Sequence, residues 1–345
     1  MVLAHTETCF FPLLHAYFHW GGAMRAEKPK RVTQLFHRDE IRALLKSTNW
    51  EGAFSVATSW GIIIGAFVLA AWRPNPLTLF IALLLLGGRH LALAVLMHEA
   101  AHRSLFASEK LNHWVGTWLC AAPSWNHLEP YRKHHVLHHA HTNSAKDPDL
   151  GLVEPFPVTR RSLLRKLTRD IIGITGVKRV FGQLLMAFGY LHYPTPAANS
   201  AIHPRTFWQV LRFGLVRLGP VVVFHAILFT ILAAFGESWL FVLWVVAWLS
   251  PYSLFLRMRS MAEHACTARS DDPFQNTRTT HANWLARLFV APHHVNYHLE
   301  HHLLMTVPHY RLKRMHRLLL ERGHLADTPP TPNYRTVLRL VSSRV

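Results

Sequence analysis

The stretch LTLFIALLLLGGRHLALAVLMHEAAH, Leu77 to His102, decides how the rest of the chain is read. Its apolar part, Leu77 to Met97, has the ~20 residues a helix needs to cross a bilayer. It runs without a stop into HEAAH, His98 to His102. As H-E-x-x-H on a helix, that string puts His98 and His102 on a zinc ion with Glu99 as general base. As plain H-x-x-x-H, it is two imidazoles one helical turn apart at the end of a membrane span. The neighbouring sequence has to choose between the two.

Three further apolar stretches match the first: about 53 to 72, 213 to 235 and 238 to 257. With 77 to 97 they form two hairpins, one turning at RPNP (Arg73 to Pro76) and one at GES (Gly236 to Ser238). Composition agrees: 50% of the 345 residues are hydrophobic, only 16% are charged, and mean hydropathy is +0.11. The expected fold is therefore all-α and polytopic, with four transmembrane helices in two hairpins and a cytoplasmic helical cap carrying the histidines. Residues 1–50 read as a cytoplasmic N-terminal arm, 51–320 as the membrane domain and 321–345 as a C-terminal tail.

Charge sets the expected orientation. Lys and Arg number 37 against 19 acidic residues, a formal +18. The excess lies in the N-terminal arm, the 98–212 segment and the tail, so both termini and the central segment are expected on the cytoplasmic side of a bacterial inner membrane or its equivalent. No nucleic-acid motif accompanies the charge, and no nucleic-acid partner is expected. From Arg160 to Tyr190, Leu163, Leu167, Ile171, Ile174, Phe181 and Leu185 recur opposite Arg161, Arg165, Arg169 and Arg179, which predicts one basic amphipathic helix on the inner membrane surface. Leu111 to Trp125 reads as either an interfacial or a partly inserted helix. HYPTPAANSAIHP, His192 to Pro204, reads as a loop, and the first 24 residues as an irregular interfacial arm.

Histidine is the outlier, at 27 residues. At that content an H-x-x-x-H match arises about twice by chance, and His15 with His19 in HAYFH is expected to be such an accident. H-x-x-H-H is expected about 0.2 times. It occurs twice, as His135, His138 and His139 and as His298, His301 and His302. Positions i, i+3 and i+4 share a helix face, so each triplet converges three imidazoles. With His98, His102 and His264 of RSMAEHA, about nine neutral donors collect at one membrane face, too many for one tetrahedral zinc and enough for two metals. Among redox metals such ligation suits iron, and two irons can activate dioxygen beside a lipid chain. The three cysteines, Cys9, Cys120 and Cys266, form no C-x-x-C pair that would hold another redox centre.

The matching strings are HEAAH; YRKHHVLHHAHTNSAKDPDL from Tyr131; AEH, followed by TRT at Thr277 to Thr279; and VNYHLEHHLLMTVPHYRL from Val295. On these, over roughly residues 50 to 320, the chain resembles the membrane fatty acid desaturase family, the histidine-box enzymes that also include lipid hydroxylases and carotenoid ketolases. The resemblance implies two iron ions held by His98, His102, His135, His138, His139, His298, His301 and His302, with His264 carried over from a shorter match. It implies dioxygen as co-substrate and a double bond introduced into a fatty acyl or similar lipid chain. Leu304-Met305 stands where many members have Phe-Pro, and His298 where front-end desaturases have Gln. Both departures bear on the substrate rather than on the metal.

Lacking G-x-G-x-x-G, a cysteine-held iron site and an appended haem domain, the chain is expected to take electrons from a separate ferredoxin, rubredoxin or cytochrome b5. Asp147, Asp149, Glu99, Glu263 and Glu300 are candidates to receive imidazole N–H bonds, and His134, His141, His293 and His294 adjoin the boxes. Lone His37, His90, His225 and His324 read as packing or surface residues. A hydroxylase or ketolase shares the site and differs only in the fate of oxygen. An intramembrane zinc metalloprotease leaves both H-x-x-H-H triplets unexplained, and DLG at Asp149 to Gly151 reverses the L-D-G order it needs. A metal transporter would place acidic residues in its spans, and these four contain none.

Overall fold

The computed structural model describes residues 32–191 and 206–344. The readings of the first 24 residues, of His15 with His19, and of the loop His192 to Pro204 lie outside the described residues. Among the described residues, four helices are long and apolar enough to cross a membrane. Two form the first hairpin, α1 (Asn49–Trp72) and α2 (Pro76–Ala101). Thr48 caps α1 by accepting from the Glu51 N–H, and Asn75 caps α2 by accepting from the Leu77 and Thr78 N–H groups. Pro76 at the first helical position needs no amide partner there, which makes Arg73 to Asn75 a tight re-entry.

α2 is the axis of the bundle. Within its most apolar window 67% is buried inside the protein, against 22% for the third span. Gly87 and Gly88 allow this. A methyl group on Gly87 would lie 2.7 Å from Pro251, and one on Gly88 would lie 2.9 Å from the Leu288 carbonyl oxygen. The helix continues four residues past the expected end of the span, so His98 is on its last turn and His102 caps it.

After α2 comes Glu109–Val115, then a π-helical stretch Gly116–Ala121 and a 3-10 turn Ala122–Ser124 that ends on left-handed Trp125. Cys120 to Ser124 are buried, so the later half of this segment packs inside the protein while Trp114 stays exposed. It leads into α3 (Leu128–His141), which carries the second box.

The amphipathic segment is not one helix. It is α4 (Arg160–Ile171) and α5 (Ile174–Ala187), broken at Gly173, whose φ of +82° ends the first helix in the manner of a glycine C-cap. The break lets Gly176 come so close to the Leu249 backbone that no side chain would fit. Ile171, Ile174 and Phe181 face outward, whereas Leu163 is buried.

The second hairpin joins α6 (Phe207–Ala234) to a span in two pieces, α7 (Leu240–Leu249) and α8 (Pro251–His264). Pro251 has no N–H to continue α7, and Ser250 leaves helical geometry at φ −107°, ψ −87°. Arg179 of α5 donates to the Trp248 carbonyl at 2.8 Å beside the break. Because α8 continues to its end without interruption, His264 is on the same helix as the cap half of the span. Arg257 of α8 donates to Asp170 of α4, Nη2 to Oδ1 at 2.9 Å, and holds the surface helix against it.

The cap is completed by α9 (His298–Leu303), α10 (His309–Glu321) and α11 (Tyr334–Val341). Val337 and Val341 of α11 pack on Val153, Phe156, Val158 and Met261.

Candidate metal centre

Each histidine segment reaches the cap from a different helix. α2 delivers His98 and His102, α3 delivers His135, His138 and His139, α8 delivers His264, and α9 delivers His298, His301 and His302. These nine are the residues picked out in the sequence, and they sort into two groups. His98, His102, His135, His139 and His301 form one; His138, His264, His298 and His302 form the other. Within each, the potential donor atoms lie within 4.8 Å of one another.

Helical spacing explains the sorting. His135 and His139, one turn apart, face α2, while His138 is rotated toward α8. On α9, His301 turns to the first group, and His298 and His302 turn to the second. Both H-x-x-H-H triplets are therefore divided between the groups.

The arrangement fits metal ions better than it fits itself. His139 Nε2 lies 3.0 Å from both His135 Nε2 and His301 Nε2, and His298 Nε2 lies 2.8 Å from His264 Nε2. One imidazole nitrogen carries at most one proton, so such a set cannot satisfy itself by hydrogen bonding. His98 Nε2, His102 Nε2 and His302 Nε2 are buried with no hydrogen-bond partner. Convergent, unsatisfied lone pairs are what a bound cation resolves.

Electrostatics keeps most of these donors neutral. Burial, with neighbouring imidazoles adding to it, holds His135, His298, His301 and His302 well below the ordinary imidazole value, and His102 is pushed down to about 3. His138 is the exception. Burial disfavours its cation too, but the hydrogen bond to Asp147 and the charges of Asp149 and Asp147 outweigh it, and its pKa is raised.

The anticipated acidic partners are distributed unequally. Asp147 Oδ1 lies 2.8 Å from His138 Nδ1, and Asp149 Oδ1 lies 2.8 Å from His134 Nε2, a histidine outside both groups. Glu263 Oε1 is 3.5 Å from His298 Nδ1 and accepts from Arg259 Nε at 2.6 Å. Glu99 Oε1 is 3.3 Å from His98 Nδ1, while Oε2 accepts from the His309 backbone N–H at 2.9 Å and the Ser104 hydroxyl at 3.1 Å. Tied in this way, Glu99 is not the free base a zinc protease requires. Glu300 bonds His316 instead of a box histidine.

Two further partners were not anticipated as such, although Thr142 stands within the matched string from Tyr131. The Asn276 carbonyl accepts from His264 Nδ1–H at 3.1 Å, and Thr142 Oγ1 lies 3.2 Å from His302 Nδ1. His141, His293 and His294 fall outside both groups, His293 bonding Ser59 Oγ at 2.8 Å. His225 Nδ1–H donates to the Val221 carbonyl and its Nε2 accepts from Trp125 Nε1–H at 2.9 Å, which makes it a packing residue as expected.

Residues 74–331 match the sequence pattern of the family described as Fatty acid desaturase. Dihydrorhizobitoxine desaturase of Bradyrhizobium elkanii is 27% identical over 292 residues, covering 80% of this chain and 77% of its own. The chloroplastic omega-6 fatty acid desaturase of Brassica napus is 23% identical over 330 residues, 90% of this chain and 67% of its own. The sn-1 oleoyl-lipid 12-desaturase of Synechocystis is 26% identical over 242 residues, 66% and 64% of the two chains. With the match spanning three of the four candidate spans and every histidine of both groups, the chain belongs to the fatty acid desaturase family.

Proposed function

We propose that the protein is an oxygen-dependent lipid desaturase that introduces a double bond into an acyl chain, with one iron in each imidazole group and electrons from an external carrier such as ferredoxin, rubredoxin or cytochrome b5. The observation that carries this reading is the partition of nine histidines, seven of them buried, into a set of five and a set of four. Neutral imidazoles are suitable iron ligands, and sets of this size leave room for other ligands. Bound iron would supply dioxygen activation and hydrogen abstraction from unactivated methylenes.

The chain's own contribution is to hold and to exclude. Asp147, Thr142 and the Asn276 carbonyl fix the Nδ1 side of His138, His302 and His264, which leaves Nε2 of each for metal. The close-packed cap keeps bulk water from the donors; seven of the nine are under 9% exposed, His98, His298 and His301 among the deepest.

The lipid half of the reading is supported by an apolar groove of about 840 Å³ between α1, α6 and the 106–119 segment, lined by residues such as Trp60, Phe106, Leu119, Phe224 and Ile231. Two of its three walls, α1 and α6, are candidate membrane-spanning helices, so an acyl chain is the suitable occupant. Desaturation is favoured over hydroxylation by the names of the three relatives. The basic cytoplasmic face expected from the charge distribution suits an acidic electron carrier.

Metal analysis of the purified chain together with lipid analysis of an expressing host tests the proposal. About two irons per chain and new oxygen-dependent unsaturation are expected. One zinc with peptide hydrolysis, or two irons with only hydroxylated lipid, would overturn it.

A further inference from the structure

The TRT string singled out in the sequence has no place in either imidazole group, and its last residue, Thr279, is buried. The Thr279 hydroxyl donates to Glu300 Oε2 at 2.5 Å. The other carboxylate oxygen, Oε1, lies 2.5 Å from His316 Nδ1 of α10. Glu300 itself is 0% exposed and stands between His298 and His301 on α9.

α9 has six residues, too few for a helix to persist on its own propensity. Something outside it has to set its position and rotation. The preceding turn is tied by reciprocal bonds between Asn296 and Thr280, the Thr280 N–H to the Asn296 carbonyl at 3.1 Å and Asn296 Nδ2 to the Thr280 carbonyl at 3.1 Å. Within the helix, the Glu300 side chain is held from two directions, by Thr279 on one side and by His316 of α10 on the other. A buried carboxylate makes strong hydrogen bonds and leaves a costly unsatisfied oxygen when either partner is removed. The rotation of α9 matters to both groups, because His301 serves the first while His298 and His302 serve the second.

We propose that Thr279, Glu300 and His316 form a positioning clamp that sets α9 for both metals at once. The inference rests on the reading that both groups bind metal. It differs from the action of Asp147, whose contact is with His138 of the second group alone.

The test uses the full chain in detergent, titrated anaerobically with ferrous iron against a competing chelator, with cobalt(II) absorption as a second signal. Thr279→Val keeps the volume and loses the hydroxyl, and both iron equivalents are expected to weaken together by about 10- to 100-fold. Thr279→Ser restores the hydroxyl and with it the parent affinities, which a purely volumetric role would not do. His316→Phe should behave as Thr279→Val; if it does not fold, the Val and Ser pair carries the test. Parent-like binding of both irons in a folded Thr279→Val chain, or weakening of one alone, overturns the clamp. A parent chain that binds fewer than two irons overturns the two-metal reading beneath it.

Discussion

The two imidazole groups are built from the same residue type and share α3 and α9, with α2 completing the first and α8 the second, yet they are braced differently. In the second group three of the four Nδ1 atoms have a partner, Asp147 for His138, the Asn276 carbonyl for His264 and Thr142 for His302, while His298 Nδ1 lies 3.5 Å from Glu263 without a formed hydrogen bond. In the first group His135, His139 and His301 are linked through Nε2 contacts, and the buried Nδ1 atoms of His98, 3.3 Å from Glu99, and of His301 lack a hydrogen-bond partner. More of the second group's imidazoles are oriented by protein groups than of the first's, so on the proposed function the first would lean more on its metal for order. Two sites with the same ligands should therefore load and release metal differently.

The largest effects come from removing a ligand. His301→Ala in the first group and His302→Ala or His138→Ala in the second should each abolish desaturation and lower iron content, as measured by lipid analysis and metal assay. Full activity in any of them would break the assignment of that histidine. Next is Asp147→Asn, which should weaken one iron equivalent by about 10- to 100-fold and leave the other as it was. If both equivalents weaken equally, the groups are not separately braced.

A pH series sharpens the contrast. His138 has a pKa above the ordinary 6.5, so a proton competes with metal for the second group as pH falls through that raised value. His102, His135 and His301 are held below it, so the first group should keep its affinity over the same range. In metal-free protein the sign for folding is the reverse: the raised pKa of His138 contributes stability that is full at low pH and lost as pH rises through it. Parallel pH dependence of the two iron equivalents would contradict this. The smallest effect is expected for Glu99→Gln. Its 3.3 Å approach to His98 is not a formed hydrogen bond, so iron affinity should fall by less than about tenfold. A hydrolytic centre would instead lose all activity.

What was legible in the sequence was local. The i, i+3, i+4 spacing of His135, His138 and His139 is a property of one helix and could be read without a fold. Which imidazole group each of the three joins could not, because that depends on how α3 packs between α2 and α8. The spans were read near their places, but α2 and α8 run on into the cap and make His98 and His264 parts of membrane helices. The single helix expected over Arg160 to Tyr190 failed at Gly173, since hydrophobic periodicity carries straight through a break whose cause is one left-handed residue. The role of His316 was invisible for another reason, as was the partner of Thr142, which itself stood in a matched string: no short motif encodes a hydrogen bond to another segment.

The division of α9 between the groups has a consequence for biogenesis. Neither donor set closes until residues 298–302 have been synthesised, long after the helix bearing His98 has entered the membrane. Contacts so remote in the chain form late, once loop-closure entropy has been overcome. On the proposed function, iron would therefore be taken up by a chain whose two hairpins are already inserted, and the newly made protein would pass through an inserted, metal-free state.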